Sequence, residues 1–255
     1  MKTGGQGIRL KNANEVDILR KAGKILSSIV VPLQGSLTSG MSTKDIDLKA
    51  EELIRQHKVT SAFKGYRGFP GVTCISVNEG VVHGVPGGRV VKEGDIVSVD
   101  IGIIYEGYYS DTAVTVPIGN VSPEVRRLLD VTQAALFRGI EQARVGNRLS
   151  DISFAVQSFV EMHGFSVVRD FVGHGIGRAL HEDPEIPNYG RAGQGTVLAE
   201  GMVFAIEPMV NMGTHRTRIL SDGWSVVTED GKPSAHFEHT IVITAQGPEI
   251  LTKSQ

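Results

Sequence analysis

The stretch Glu93-Gly94-Asp95-Ile96-Val97-Ser98-Val99-Asp100 returns 107 residues later as Glu200-Gly201-Met202-Val203-Phe204-Ala205-Ile206-Glu207. Each copy has a Glu-Gly turn, then an apolar run, then a carboxylate at the same place, the pattern of a buried strand that ends on an acid. Upstream, Gly40-x4-Asp45-Ile46 returns as Gly146-x4-Asp151-Ile152 and His57 as His163, both 106 residues later. Two copies are too few for a solenoid, which stacks several units. Two halves facing one another across a pseudo-two-fold axis is the economical reading.

Each copy is preceded by helical spacing. Ile18, Leu19, Ala22, Ile25, Leu26 and Ile29 recur at helical intervals between Asn14 and Val30, with Pro32 expected to end the helix. A second helix is expected from the caps Ser42 and Thr43, burying Ile46, Ala50, Leu53 and Ile54. Strands are expected at 72–77, 81–85, 95–105 and 108–118, rich in β-branched and aromatic residues. The second half repeats the order: helices near 123–144 and 150–164, then strands near 167–172, 202–209, 224–228 and 236–244. The fold class is therefore α+β, with antiparallel sheets inside and helices outside.

The 255 residues allow one large domain or two small ones. A mobile arm over residues 1–10 and one domain of two pseudo-symmetric halves over 11–255 are expected. Lys and Arg number 26 against 28 Asp and Glu, a net charge of -2 that gives no electrostatic case for nucleic acid or an anionic membrane. A single cysteine, Cys74, excludes an internal disulfide and a multi-cysteine zinc module. With no apolar leader and no run long enough to span a bilayer, the chain reads as cytoplasmic. Asn120-Val121-Ser122 fits a glycosylation sequon but reads as a turn before Pro123.

The chemistry lies in the acids. Glu106-Gly107 is a two-residue hairpin turn, which sets Asp111 opposite Gly102 and puts Asp100 and Asp111 on one face, about 5 to 8 Å apart. Among apolar neighbours such as Val99, Ile101, Val114 and Val116, an uncompensated charge is costly. Taken alone, this pair could equally lie at an edge or beside a Lys or Arg. Glu207 at the repeat position of Asp100, and Glu238 on a later strand, extend the cluster to four. Four formal negative charges match two divalent cations. His174, in Phe171-Val172-Gly173-His174-Gly175-Ile176-Gly177, is the remaining ligand candidate, since the glycines allow close approach. This glycine run is not a dinucleotide fingerprint, His181-Glu182 lacks the second histidine of a zincin helix, and no G-x-S-x-G is present.

These residues, with Gly65-Tyr66-x-Gly68-Phe69-Pro70, Cys74 to Glu79, His83-Gly84-Val85-Pro86, Ser110-Asp111-Thr112, His181-Glu182-x-Pro184, Ile206-Glu207-Pro208 and Glu238-His239-Thr240, resemble the type 1 methionine aminopeptidases of the M24 metallopeptidases, across residues 11 to 250. The resemblance implies the pseudo-two-fold pita-bread fold and a dinuclear centre on Asp100, Asp111, His174, Glu207 and Glu238. This hard ligand set admits Mn, Fe, Co or Zn. By that resemblance, a metal-bound water or hydroxide would be acidified and oriented to attack the first peptide carbonyl. Glu207 is the expected proton shuttle, His181 the group beside the carbonyl oxygen, and His83 the contact to the substrate backbone. Tyr66, Phe69, Cys74 and Trp224 are expected to wall the methionine pocket, with core packing as their alternative role. Many relatives carry Phe before the second catalytic histidine; Leu180 here implies a wider or softer pocket.

The implied function is removal of the N-terminal methionine from nascent proteins and peptides with a small second residue. The expected partners are nascent-chain N-termini and, transiently, the ribosome, with no nucleic acid or membrane and a monomeric enzyme. Two rivals are an X-Pro peptidase of the prolidase or aminopeptidase P kind on the same fold, and an inactive binding module. The first usually carries another N-terminal domain, and the second is expected to lose ligands.

Overall fold

The computed structural model describes residues 7–253. Most of the expected mobile arm, residues 1–6, lies outside the described residues. Of the rest, Ile8 packs against the second-half core and Arg9 pairs with Glu15 at 2.8 Å.

Among the described residues there are four α-helices: α1 (Ala13–Gly35), α2 (Thr43–Gln56), α3 (Pro123–Gln142) and α4 (Leu149–Met162). The first two open on capping boxes, Asn12 with Glu15 and Ser42 with Asp45, which satisfy orphan N–H groups at each start. α1 and α2 pack on strands of the first half, α3 and α4 on strands of the second. Pro32 does not end α1, contrary to expectation; the helix continues through it to Gly35. Pro32 and Ser28, whose carbonyl loses its partner, both face solvent, while Leu33 is fully buried and anchors the last turn. No helix of the described residues is long and apolar enough to cross a membrane.

Besides two three-stranded sheets, the described interior holds one antiparallel nine-stranded sheet. Its path runs Thr60–Ser61, Ile96–Tyr105, Tyr108–Pro117, Glu238–Thr244, Val203–Ile206, Gly173–Gly175, Glu182–Ile186. Thr73–Val77 adds to Ile96–Tyr105, and Gly247–Ile250 to Glu238–Thr244. The hairpin register is as expected: Gly102 faces Asp111 and Asp100 faces Ala113. The Glu106-Gly107 turn has φ of 48° and 76°, the two positive values a type I′ turn requires. The repeat is equally visible in the backbone, where Gly94 and Gly201 hold φ of 88° and 85°.

The halves join where Glu238 pairs with Ala113 and His239 with Thr112. Thr240 Oγ1 stitches this seam, accepting from the Asp111 N–H at 3.0 Å and donating to the Asp111 carbonyl at 2.7 Å. Each half keeps its own core outside the sheet: Leu26, Ile46 and Ala50 against Val97 and Val99 in one, Leu136, Ile152 and Val156 against Phe204 and Ile241 in the other.

Several expected strands are shorter than their runs: 81–85 is Gly80–Val82, 224–228 is Val226–Thr228, and 236–244 divides into Ser234–His236 and Glu238–Thr244. Instead of one strand over 202–209, Val203–Ile206 and Met209–Asn211 are separated by Glu207-Pro208, where proline supplies no ladder N–H. The run 167–172 keeps only Ser166–Val167 in strand, and its remainder turns toward the cavity described next.

Candidate active site

Asp100, Asp111, Glu207, Glu238 and His174 all line one cavity of about 280 Å³. One ligand atom from each of Asp111, His174 and Glu238 lies within 4.8 Å of the others. Glu207 Oε1 stands 3.5 Å from His174 Nε2. Strand alternation and the hairpin deliver the two aspartates, the bend at Pro208 delivers Glu207, and the seam delivers Glu238. Gly102 opposite Asp111 leaves room on both sides, since a Cβ there would lie 3.3 Å from Asp111 Oδ1 and 2.8 Å from the Phe63 ring.

His174 occupies a strand squeezed between two others. A Cβ at Gly173 would strike the Ala205 carbonyl and one at Gly175 the Asp183 carbonyl, so only glycine fits on either side. The His174 Nδ1 is 2.9 Å from the Gly175 carbonyl, which can only accept. The proton is therefore on Nδ1, and Nε2 turns a lone pair to the acids.

Burial, then mutual repulsion, dominates the electrostatics. Burial first, then Asp111 and Glu207, raises Asp100 well above the carboxylate range; Glu207 and Glu238 rise likewise, and burial takes Asp111 to about 7. Among the described residues no lysine or arginine forms an ion pair with any of the four. Asp100 Oδ1 and Glu238 Oε1 are buried without a hydrogen-bond partner. Orphaned carboxyl oxygens beside an imidazole lone pair suit a hard divalent cation, which would remove the cost of burying them ionised.

Tyr66, Phe69, Cys74, Leu180 and Trp224 form the apolar side of the cavity. The Phe69 and Trp224 rings meet edge to face at 5.2 Å, and Cys74 pairs with Asp100 across the sheet. Burial pushes the Cys74 thiol up, which keeps it an uncharged wall. His83 has φ of 58°, a left-handed conformation costing roughly 1–2 kcal/mol. It is held there because Gly84 packs directly on the Ile75 carbonyl, and its ring stands edge-on to Phe171 at 5.4 Å. Burial takes His83 down to about 4. His181 stands at the mouth with one edge open to solvent, yet surrounding protein, His174, Arg67 and His83 push it down to about 3. Both histidines are neutral rings. Tyr66 is more than a wall, since its hydroxyl is 2.8 Å from His181 Nδ1.

All eleven sequence-derived site residues thus meet in one cavity. Sequence reading missed Phe63, Arg67, Val82, Asp170, Phe171 and Val172, which also line it. Arg67 lay inside the Gly65–Pro70 motif and Phe171-Val172 beside His174, so proximity to a motif was the available signal. It also missed His236, fully buried with its Nε2 3.4 Å from Glu207 Oε2. Its position two before Glu238 was the only hint.

The profile of metallopeptidase family M24 matches residues 17–245. A methionine aminopeptidase of Clostridium perfringens is 56% identical over 245 residues, 96% of this chain and 98% of its own. The fold is that of a crystal structure of methionine aminopeptidase from Thermotoga maritima, with a TM-score of 0.95, 47% identity, and coverage of 97% of this chain and 100% of that one. A prolidase from Pyrococcus furiosus reaches a TM-score of 0.77 at 26% identity; 96% of this chain is matched, and 66% of that one.

Proposed function

We infer that this chain, which belongs to metallopeptidase family M24, removes the N-terminal methionine from peptides and nascent proteins whose second residue is small, with two divalent metal ions in its carboxylate cluster. The observation that carries the reading is the buried set of four carboxylates, which no lysine or arginine of the described residues pairs, with one imidazole lone pair against an apolar pocket, in a chain 56% identical to a methionine aminopeptidase over nearly its whole length. Prolidase-type activity is the weaker reading, since that likeness is 26%. Residues 11–255 act as one catalytic unit, in the cytoplasm, as a monomer with transient access to the ribosome.

Asp100, Asp111, His174, Glu207 and Glu238 hold the ions; when bound, they supply an acidified, oriented water for attack on the first peptide carbonyl. Tyr66, Phe69, Cys74 and Trp224 take the methionine side chain, whose flexible thioether suits aromatic walls. Glu207 accepts the proton of the attacking water and passes it to the leaving amine. His181 donates from Nε2 to the carbonyl oxygen in the neutral tautomer whose Nδ1 accepts from the Tyr66 hydroxyl, 2.8 Å away. His83 contacts the substrate backbone.

Chelation is expected to abolish hydrolysis of Met-Ala-Ser, and Mn2+, Co2+ or Fe2+ to restore it, with Ala-Pro-Ala uncut. Metal addition is also expected to raise the melting temperature by relieving repulsion among the acids. Full activity of verified metal-free protein, or preferential cutting of Ala-Pro-Ala, overturns the reading.

A further inference from the structure

The turn 176–181 joins the strand carrying His174 to the strand Glu182–Ile186, and it ends on His181. Its base is held from far away. Lys11 Nζ lies 2.6 Å from Glu182 Oε2, with the lysine side chain only 3% exposed, and its other acceptor is the Arg9 carbonyl at 3.1 Å. The second Glu182 oxygen, Oε1, accepts the N–H groups of Arg178 at 2.6 Å and Ala179 at 3.2 Å. One carboxylate therefore gathers a buried ammonium and two peptide N–H groups of the turn that presents His181.

The packing leaves this arrangement little room to shift. A Cβ at Gly177 would lie 2.6 Å from Lys11 Cε and 2.7 Å from Glu182 Oε1. The Lys11 main chain is itself fixed, its N–H donating to the Gly201 carbonyl at 2.8 Å. A buried ion pair gains little stability over an apolar pair of the same volume, so its value here is geometric. A group that donates to a developing oxyanion must be held within about 0.5 Å, and a 1 Å error costs on the order of 10²-fold in rate.

We propose that Lys11 is a positioning residue, which fixes the place of His181 by clamping Glu182 and the 176–181 turn from the start of the domain. This rests on the reading of His181 as the donor to the substrate carbonyl oxygen, and it adds a residue that touches neither substrate nor metal ligand.

The test is a double-mutant cycle of Lys11→Met and His181→Ala on metal-loaded protein. It is read by kcat and KM on Met-Ala-Ser, Mn2+ affinity by calorimetry, and the His181 ring resonance by NMR. Lys11→Met is expected to lower kcat about 10- to 100-fold, leave KM and Mn2+ affinity near wild type, and shift or broaden the His181 signal. In the His181→Ala background it should change kcat less than about twofold. Losses that multiply, or an unmoved His181 signal, overturn the proposal. Unchanged kcat in His181→Ala alone instead overturns the role given to His181, whatever Lys11 does to its signal. If Lys11→Met leaves Glu182 unpaired and the protein unfolds, Lys11→Met with Glu182→Gln removes both charges and keeps a carbonyl for the two N–H groups. The same kcat loss is expected there, and wild-type kcat in that variant overturns the clamp.

Discussion

Removing the Tyr66 hydroxyl isolates one atom of the proposed mechanism. Tyr66→Phe keeps the ring and its apolar wall in the cavity and deletes only the group 2.8 Å from His181 Nδ1. Two magnitudes compete. A buried nitrogen left without a partner costs about 1 to 3 kcal/mol, whereas a hydrogen bond that water can replace is worth about 0.5 to 1.5 kcal/mol net. His181 stands at the mouth with one edge open to solvent, so water can reach Nδ1 and the smaller range applies. At 1.36 kcal/mol per tenfold, kcat should fall about 2- to 12-fold, as some rings adopt the tautomer with the proton on Nδ1. KM and the preference for methionine over leucine should hold, because the wall is intact. Steady-state hydrolysis of Met-Ala-Ser and Leu-Ala-Ser by metal-saturated protein checks both. An unchanged kcat, or altered preference at wild-type kcat, would refute the tautomer argument and leave Tyr66 as a pocket wall.

Leu180→Phe should sharpen methionine over leucine, since one methylene in an apolar pocket changes discrimination by about 1 to 3 kcal/mol; equal kcat/KM ratios before and after would deprive the Leu180 departure of functional meaning. Pro32→Ala should stabilise the protein by about 1 kcal/mol, less than the ~3 kcal/mol of a helix interior because the Ser28 carbonyl already faces solvent, and raise Tm by about 2–4 °C. A lower Tm in calorimetry counts against that account of α1. Glu15 is held below its ordinary 4.5 by the Asn12 backbone N–H, the Tyr108 hydroxyl, Arg9 and Arg178, against burial. A depressed folded-state value contributes stability that is fully present above about 4.5 and is lost as pH falls through the folded value, so Glu15→Gln should flatten the acid limb of stability. Urea melts from pH 6 to 3 that decline in parallel for both proteins would exclude this contribution.

Much of the site was legible because its rules are local. Alternation along Ile96–Tyr105 and a two-residue turn at Glu106-Gly107 together fix Asp111 opposite Gly102, and both are written within about a dozen residues. The Glu93–Asp100 repeat carried the same logic to Glu207 and revealed the two halves. What the sequence left open depends on surfaces that meet only after folding. No local pattern states that Glu238 pairs with Ala113 through the Thr240 stitch, that the Tyr66 hydroxyl reaches His181 across 115 residues, or that Lys11 closes on Glu182 across 171. Nor does it say that Pro32 stays helical, which was decided by Leu33 finding a core to fill. Turn chemistry and side-chain period act between near neighbours in the chain, while sheet seams and buried ion pairs are selected by the joint packing of elements far apart in it, and that exists only in the assembled tertiary structure.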